Sequence, residues 1–343
     1  VAERKYEEVA RQMEDTQDTD LAGVVAEDVE DDLLRLIFIA CHPVLSPEAR
    51  VALTLRLLGG LTVEEIARAF LTPPTTIAQR IVRAKRTLAE AHIPFEMPEG
   101  NARAARLASV LEVIYLIFNE GYTATAGDQW TRPTLCEEAL RLGRILAELA
   151  KQEAVVHGLV ALMEIQASRL RARVGPNGEP ILLLDQNRAR WDHLLIQRGL
   201  AALARAEQLG KGLGPYGLQA AIAACHARAR TPAATDWRRI AALYDALAQL
   251  APSPVVELNR AIALAMAYGP AVGLELVEQL TAETTLKHYH LLPSVRADLL
   301  AKVGRSAEAH AEYLRAAALT NTTREHALLL ERAENVLKQR NEP

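Results

Sequence analysis

The chain has 343 residues, of which 50% are hydrophobic and 24% are charged, with a formal net charge of −4. This length predicts two or three domains, and the hydrophobic content is high enough for folded cores. The slightly acidic balance excludes a protein coated with nucleic acid, so any contact with DNA must be local.

The N-terminal segment is strongly acidic. Residues 1–32 contain twelve acidic and three basic residues. This composition is typical of a flexible linker, and we predict an acidic linker over residues 1–30. An alternative is that the segment mimics DNA against a basic groove of a partner protein.

Residues 61–90 predict a helix-turn-helix. Thr62 and Glu65 have the spacing of a capping box, in which each side chain satisfies a backbone N–H at the start of a helix. The apolar residues of this first helix repeat at helical spacing: Val63, Ile66, Ala67 and Phe70. Pro73 and Pro74 end the pattern, although proline is tolerated in the first turn of a new helix.

A second helix is predicted from about Thr75 to Glu90. Its apolar stripe consists of Ile77, Ile81, Ala84 and Leu88, and the other faces carry Gln79, Arg80, Arg83, Lys85 and Arg86. This distribution is expected of a helix that enters the major groove of DNA. The alternative is a solvated amphipathic helix of an all-helical protein.

We assign roles along this helix by position, because N-terminal residues of a recognition helix meet base edges and later cations meet phosphates. Thr75, Thr76 and Gln79 are the candidates for base readout. Arg80 and Arg83 are candidates for base readout or phosphate contact. Lys85 and Arg86 are expected to hold phosphate.

Residues 61–67 (LTVEEIA) and 77–85 (IAQRIVRAK) resemble the fourth conserved region of extracytoplasmic-function sigma factors. In that family, the unit reads the −35 promoter element and contacts the flap of RNA polymerase. Residues 34–43, 115–122 and 218–226 resemble the subgroup of these factors that carries a long helical extension with tetratricopeptide-like repeats.

The resemblance implies an all-α protein with three folded parts. These are a helix-turn-helix domain over residues 31–97, a helical middle domain over 98–196 and a tetratricopeptide-like α-solenoid over 197–343. The implied partners are promoter DNA, core RNA polymerase and a regulatory protein or peptide bound by the repeats.

The sequence departs from the family pattern in two places. Ala78 stands where many of these factors have a cation, so the base preference of the family does not transfer. A complete factor also has a preceding helical region that clamps the polymerase and melts the −10 element. Only thirty residues precede Asp31 and the numbering opens on Val1, so we expect a fragment or trimmed form that does not open a promoter alone.

The last third of the chain has a weak internal period. Tyr244 and Tyr313 are 69 residues apart, and Gly269 and Gly304 are 35 apart. Such spacing favours stacked helix-turn-helix repeats. These repeats commonly form a groove for a peptide, but we interpret Trp237, Tyr244 and Tyr313 as packing between helices.

Other motifs predict structure rather than chemistry. The glycines of 212–217 satisfy a dinucleotide-binding pattern, but a helix is predicted where that site needs a strand. Gly121, after an apolar run, predicts a helix end. The segments 172–174 and 181–184 flank a turn and suggest a small hairpin.

We expect no enzymatic activity, cofactor or metal. The cysteines Cys41, Cys136 and Cys225 and the pair His288 and His290 lack the spacing of a zinc site. No secretory signal or long apolar stretch is present in the sequence, which favours a cytoplasmic protein without a membrane contact.

Two other functions are compatible with the same sequence features. One is a repeat-containing DNA-binding regulator that does not act through core polymerase. The other is a peptide-binding scaffold whose helix-turn-helix no longer binds DNA. The scaffold is favoured if acidic residues of the same chain occupy Arg80 and Arg83, and an exposed basic helix disfavours it.

Overall fold

The computed structural model describes residues 32–70, 72–93, 96, 98, 100–123, 131–210, 212–320 and 322–338. The predicted acidic linker lies outside these residues. Within them the protein is all-helical, with fifteen α-helices and no strand, which confirms the predicted fold class. None of the described helices is long and apolar enough to span a bilayer.

The chain divides into two compact units. The first contains the described residues 32–68 and Thr72–Ile114, and the second contains Ala69, Phe70 and the described residues from Tyr115 onward. The division falls inside one continuous helix, α5 (Gly100–Tyr122). The predicted domain bounds at 97/98 and 196/197 remain predictions; the second lies within α8 (His193–Gln208).

The first unit contains α1 over residues 32–40, α2 (Pro47–Leu57), α3 (Val63–Ala69), α4 (Pro74–Glu90) and the start of α5. Helices α2 and α4 pack against each other. Ile77, Ile81 and Ala84 of α4 are buried, and Leu88 is half-buried. The predicted apolar stripe is therefore confirmed.

Arg50 attaches α5 to this unit. Its guanidinium is buried and donates to the Ser109 hydroxyl and to the Glu112 carboxylate, the latter at 2.8 Å. The Ser109 hydroxyl donates to the carbonyl of Cys41. A buried arginine is stable only with such partners, so the first part of α5 is integral to the helix-turn-helix unit.

The second unit contains the remaining helices. They are α6 (Pro133–Leu149), α7 (Ala154–Ala167), α8, α9 (Pro215–Arg228), α10 (Trp237–Leu250), α11 (Pro254–Tyr268), α12 (Pro270–Leu280), α13 (Leu291–Lys302), α14 (Ser306–Leu319) and α15 (Thr323–Lys338). Helix α7 packs against α6, α8 and α9, and from α9 to α15 each helix packs against its sequence neighbours.

Two glycines allow close packing in this unit. A Cβ added to Gly158 in α7 would lie 3.0 Å from the backbone nitrogen of Gly217 in α9. Gly217 belongs to the glycine pattern over 212–217, which begins between α8 and α9 and ends in the first turn of α9. Helix α8 precedes the glycine pattern, as predicted. Gly217, the last glycine of the pattern, allows α7 and α9 to pack closely.

Two predictions of local structure need qualification. Helix α5 ends at Tyr122, one residue after Gly121, so the predicted helix end is confirmed. A Cβ added to Gly121 would lie 2.7 Å from the backbone nitrogen of Cys136, so this glycine also permits the close approach of α6. The expected hairpin is reduced to one antiparallel bridge between Val174 and Pro180. Proline lacks the N–H that a longer ladder requires.

The predicted interhelical role of the aromatic residues in the last third is confirmed. Tyr313 is buried in the core of α11–α15, and its hydroxyl donates to Asp298 at 2.6 Å. Trp237 and Tyr244 pack against the core between α9, α10 and α11. Gly269 and Gly304 adopt φ values of 109° and 82° at the ends of α11 and α13, as the predicted helix ends require.

Truncation of the α4 stripe should loosen the helix-turn-helix. We expect Ile77→Ala to lower the free energy of opening of α4 by about 2–5 kcal/mol, because it removes buried methyl and methylene groups and leaves a cavity. Hydrogen exchange of α4 amides in the full chain measures this energy. Val82→Ala is the control on the exposed side of the helix, and equal effects of the two variants would contradict the burial of the stripe.

Candidate DNA-binding site

Helix α3 begins with the predicted capping box. The backbone N–H of Thr62 donates to the Glu65 carboxylate at 2.7 Å, and the backbone N–H of Glu65 donates to the Thr62 hydroxyl at 3.1 Å. These bonds satisfy two donors that the helix start would otherwise leave without partners. The capping box thus fixes where α3 begins, ahead of the turn that leads into α4.

The exposed surface of α4 carries most of the predicted DNA-binding residues. Thr75, Gln79, Arg83, Lys85 and Arg86 are exposed, whereas Thr76 and Arg80 are half-buried. Thr75, Gln79, Arg83 and Arg86 follow each other at helical spacings of three or four residues and share one face. Arg80 and Lys85 lie on the two flanks of that face.

The cations of α4 are largely available to a ligand. Within the described part of the chain, Arg83 and Lys85 form no ion pair. Arg86 pairs with Glu90 at 2.6 Å, but both side chains are mostly exposed. Such a surface pair contributes little to stability and is easily exchanged for a phosphate contact.

Arg80 has an acidic neighbour in α2. The pKa of Glu48 is lowered by its own backbone N–H, by the Ser46 hydroxyl and by the charges of Arg80 and Arg50. Glu48 is itself exposed, so the interaction is screened by solvent. The two residues therefore interact only through their charges across solvent, and Arg80 faces solvent in part.

Sequence reasoning missed Val82. Its side chain lies on the exposed face of α4 between Gln79 and Arg86, with 65% of the residue accessible. An apolar side chain at this position provides the kind of surface that contacts a thymine methyl group in the major groove. The signal was present in the sequence, because Val82 falls outside the apolar stripe.

Comparisons with known proteins agree with this geometry. Residues 35–88, which include α2, α3 and α4, match the family model described as Sigma-70, region 4. Residues 106–207 match a family of unknown function, DUF6596. No solved structure matched the chain.

The first unit thus contains a sigma-70 region 4 domain, a class of DNA-binding helix-turn-helix found in transcription factors. The chain is also 46% identical over 299 residues to an uncharacterized protein of Rhizobium meliloti (strain 1021). The alignment covers 87% of this chain and 70% of that protein, so the two belong to the same family.

The capping box should make α3 sensitive to acid. The backbone N–H and hydroxyl of Thr62 hold the pKa of Glu65 below its usual range. A carboxyl whose pKa is lower in the folded state than in the unfolded state stabilises the fold at pH values above its unfolded pKa. This stabilisation is lost as the pH falls through the folded pKa. We expect hydrogen-exchange protection of α3 amides to fall between about pH 5 and pH 3.

Glu65→Gln is the matched control for this prediction. The amide keeps an acceptor oxygen for the Thr62 N–H but does not titrate in this range. Its α3 protection should vary less with pH than that of the natural chain, after correction for the intrinsic exchange rate. The same pH dependence in both proteins would show that Glu65 does not control α3.

Proposed function

We propose that the protein is a transcription initiation factor of the extracytoplasmic-function sigma type, which reads the −35 promoter element with α4 and binds core RNA polymerase. The observation that carries the proposal is the exposed basic face of α4 within a region 4 domain. Its N-terminal half presents Thr75, Gln79 and Val82 to bases, and its C-terminal half presents Lys85 and Arg86 to phosphates.

The exposure of this face disfavours the scaffold alternative. That alternative requires Arg80 and Arg83 to be occupied by acidic residues of the same chain. Arg83 is exposed and forms no ion pair with a described residue, and Arg80 is near a single exposed carboxylate, Glu48. The helix is therefore suited to an external polyanion.

We further propose that α10–α15 form a tetratricopeptide-like extension that binds a regulatory protein or peptide. Neighbour-to-neighbour packing and the positive-φ glycines at two helix ends support this assignment. The buried aromatic residues serve the core, so a bound peptide would contact other side chains.

Salt titrations of DNA binding test the roles along α4. A variant that makes one phosphate contact fewer releases one counterion fewer from the DNA when it binds. Lys85→Ala should therefore reduce the slope of log K against log salt concentration by about one unit without changing sequence preference. Lys287→Ala, at an exposed lysine outside α4, should leave the slope unchanged. A changed preference in Lys85→Ala would contradict its assignment to phosphate.

Gln79→Ala is expected to act differently. Loss of a bidentate contact to a base should reduce discrimination at one position of the site by about 1–3 kcal/mol and leave the salt slope nearly unchanged. Binding to a set of single-base variants of the selected sequence measures both quantities. A uniform loss of affinity across all sequences would remove Gln79 from base readout.

The partner is tested by titrating the full chain with core RNA polymerase. Saturable binding that survives Arg83→Glu supports the sigma-factor function, because that substitution reverses a charge facing DNA. Retained sequence-specific DNA binding without polymerase binding would instead favour the regulator that acts independently of polymerase.

A further inference from the structure

A buried arginine without a counter-charge lies in the second unit. Arg169 follows α7, and only 8% of the residue is exposed. Its Nε has no hydrogen-bond partner, and no described carboxylate forms an ion pair with it. Burial of a charged guanidinium without a negatively charged partner is strongly unfavourable. An anion bound next to Arg169 is therefore favoured.

Several other arginines at buried or half-buried positions of the described chain are paired with carboxylates. Arg50 pairs with Glu112, and the buried Glu164 receives a hydrogen bond from the half-buried Arg144 at 2.7 Å. Arg132 pairs with Glu120. Arg169 differs from these arginines, because no described carboxylate forms an ion pair with it.

Two aromatic rings and two more arginines surround Arg169. Its guanidinium carbon is 5.8 Å from the ring centroid of Tyr122 and 5.9 Å from that of Trp191. The guanidinium of Arg173 lies 3.8 Å over Tyr122, and that of Arg188 lies 4.9 Å from Trp191. Cation–π contacts hold these groups in place but do not neutralise their charge.

Arg188 is fixed by backbone groups. Its Nη1 donates to the carbonyls of His226 and Ala229 at the end of α9. These carbonyls orient the guanidinium without supplying a full negative charge. Its Nε is buried without a hydrogen-bond partner.

Burial and mutual repulsion disfavour the charged forms of the groups in this cluster. Burial and the charge of Arg169 lower the pKa of Arg188, and burial is also the main cause of the lowered pKa of Arg173. Burial, with the charges of Arg169 and Arg188, lowers the pKa of His226 to about 4. His226 is therefore neutral near pH 7 and adds no further positive charge to the cluster.

We propose that Arg169, together with Arg173 and Arg188, binds the phosphate group of a small molecule. A phosphate dianion provides both the negative charge and the acceptor oxygens that planar guanidinium groups recognise. This site belongs to the second unit and is independent of DNA binding by α4. Five of its side chains, Tyr122, Arg169, Arg173, Arg188 and Trp191, fall within the region that matches the family of unknown function.

Thermal unfolding of the full chain tests the site with inorganic phosphate as the probe. Phosphate should raise the melting temperature more than chloride at equal ionic strength, because it binds the folded state. Arg169→Gln should weaken phosphate binding about tenfold or more, since it removes charge-assisted hydrogen bonds. Sulfate should act like phosphate, and acetate should act more weakly.

Two control variants separate this site from other cations. Arg171→Gln replaces an exposed arginine two residues away, and Arg190→Gln replaces an exposed arginine next to Trp191 in the sequence. Both should keep the full response to phosphate. Equal responses in Arg169→Gln and Arg171→Gln, no response in the natural chain, or a larger response to acetate than to phosphate would each overturn the proposal.

Arg169→Lys covers the case in which Arg169→Gln does not fold. Lysine keeps the charge but lacks the planar fork of donors. It should weaken phosphate binding while retaining a folded chain by circular dichroism. Unweakened binding in Arg169→Lys would overturn the role of the arginine fork.

Discussion

The burial of one apolar stripe on α4 determines how the helix-turn-helix presents its surface. Ile77, Ile81 and Ala84 are removed from water while α4 packs against α2. Because side chains of an α-helix have fixed angular relations, burial of this stripe leaves Thr75, Gln79 and Arg83 on the opposite side. The hydrophobic effect thereby orients polar groups that make no contribution to the core.

The region 4 domain also depends on a contact that lies beyond the helix-turn-helix in sequence. Arg50 is buried, and its Nη1 donates to Ser109 and Glu112 of α5. The first unit therefore extends to Ile114, although the region 4 match ends at residue 88 and the second family match begins at 106. The end of a family match and the end of a compact unit need not coincide when one continuous helix contributes to both units.

Buried charge is handled in two ways within this protein. Arg50 and Arg132 are compensated by carboxylates, which fits a structural role. The cluster around Arg169 is held by aromatic rings and backbone carbonyls, and no described carboxylate forms an ion pair with Arg169 itself. The proposed anion site therefore lies in the second unit and not on α4.

The sequence by itself determined the all-helical class, the capping box at Thr62 and Glu65, and the buried stripe of α4, because these features depend on local spacing and on side-chain polarity. It did not show that Gly121 also permits the close approach of α6, because that role depends on where the neighbouring helix lies. Only the tertiary structure showed that the charge of Arg80 acts on Glu48 and that Arg169 forms no ion pair with a described carboxylate. Interactions of this kind join residues that are distant in the sequence. The free energy of burying a charge depends on which residues lie beside it in the folded chain.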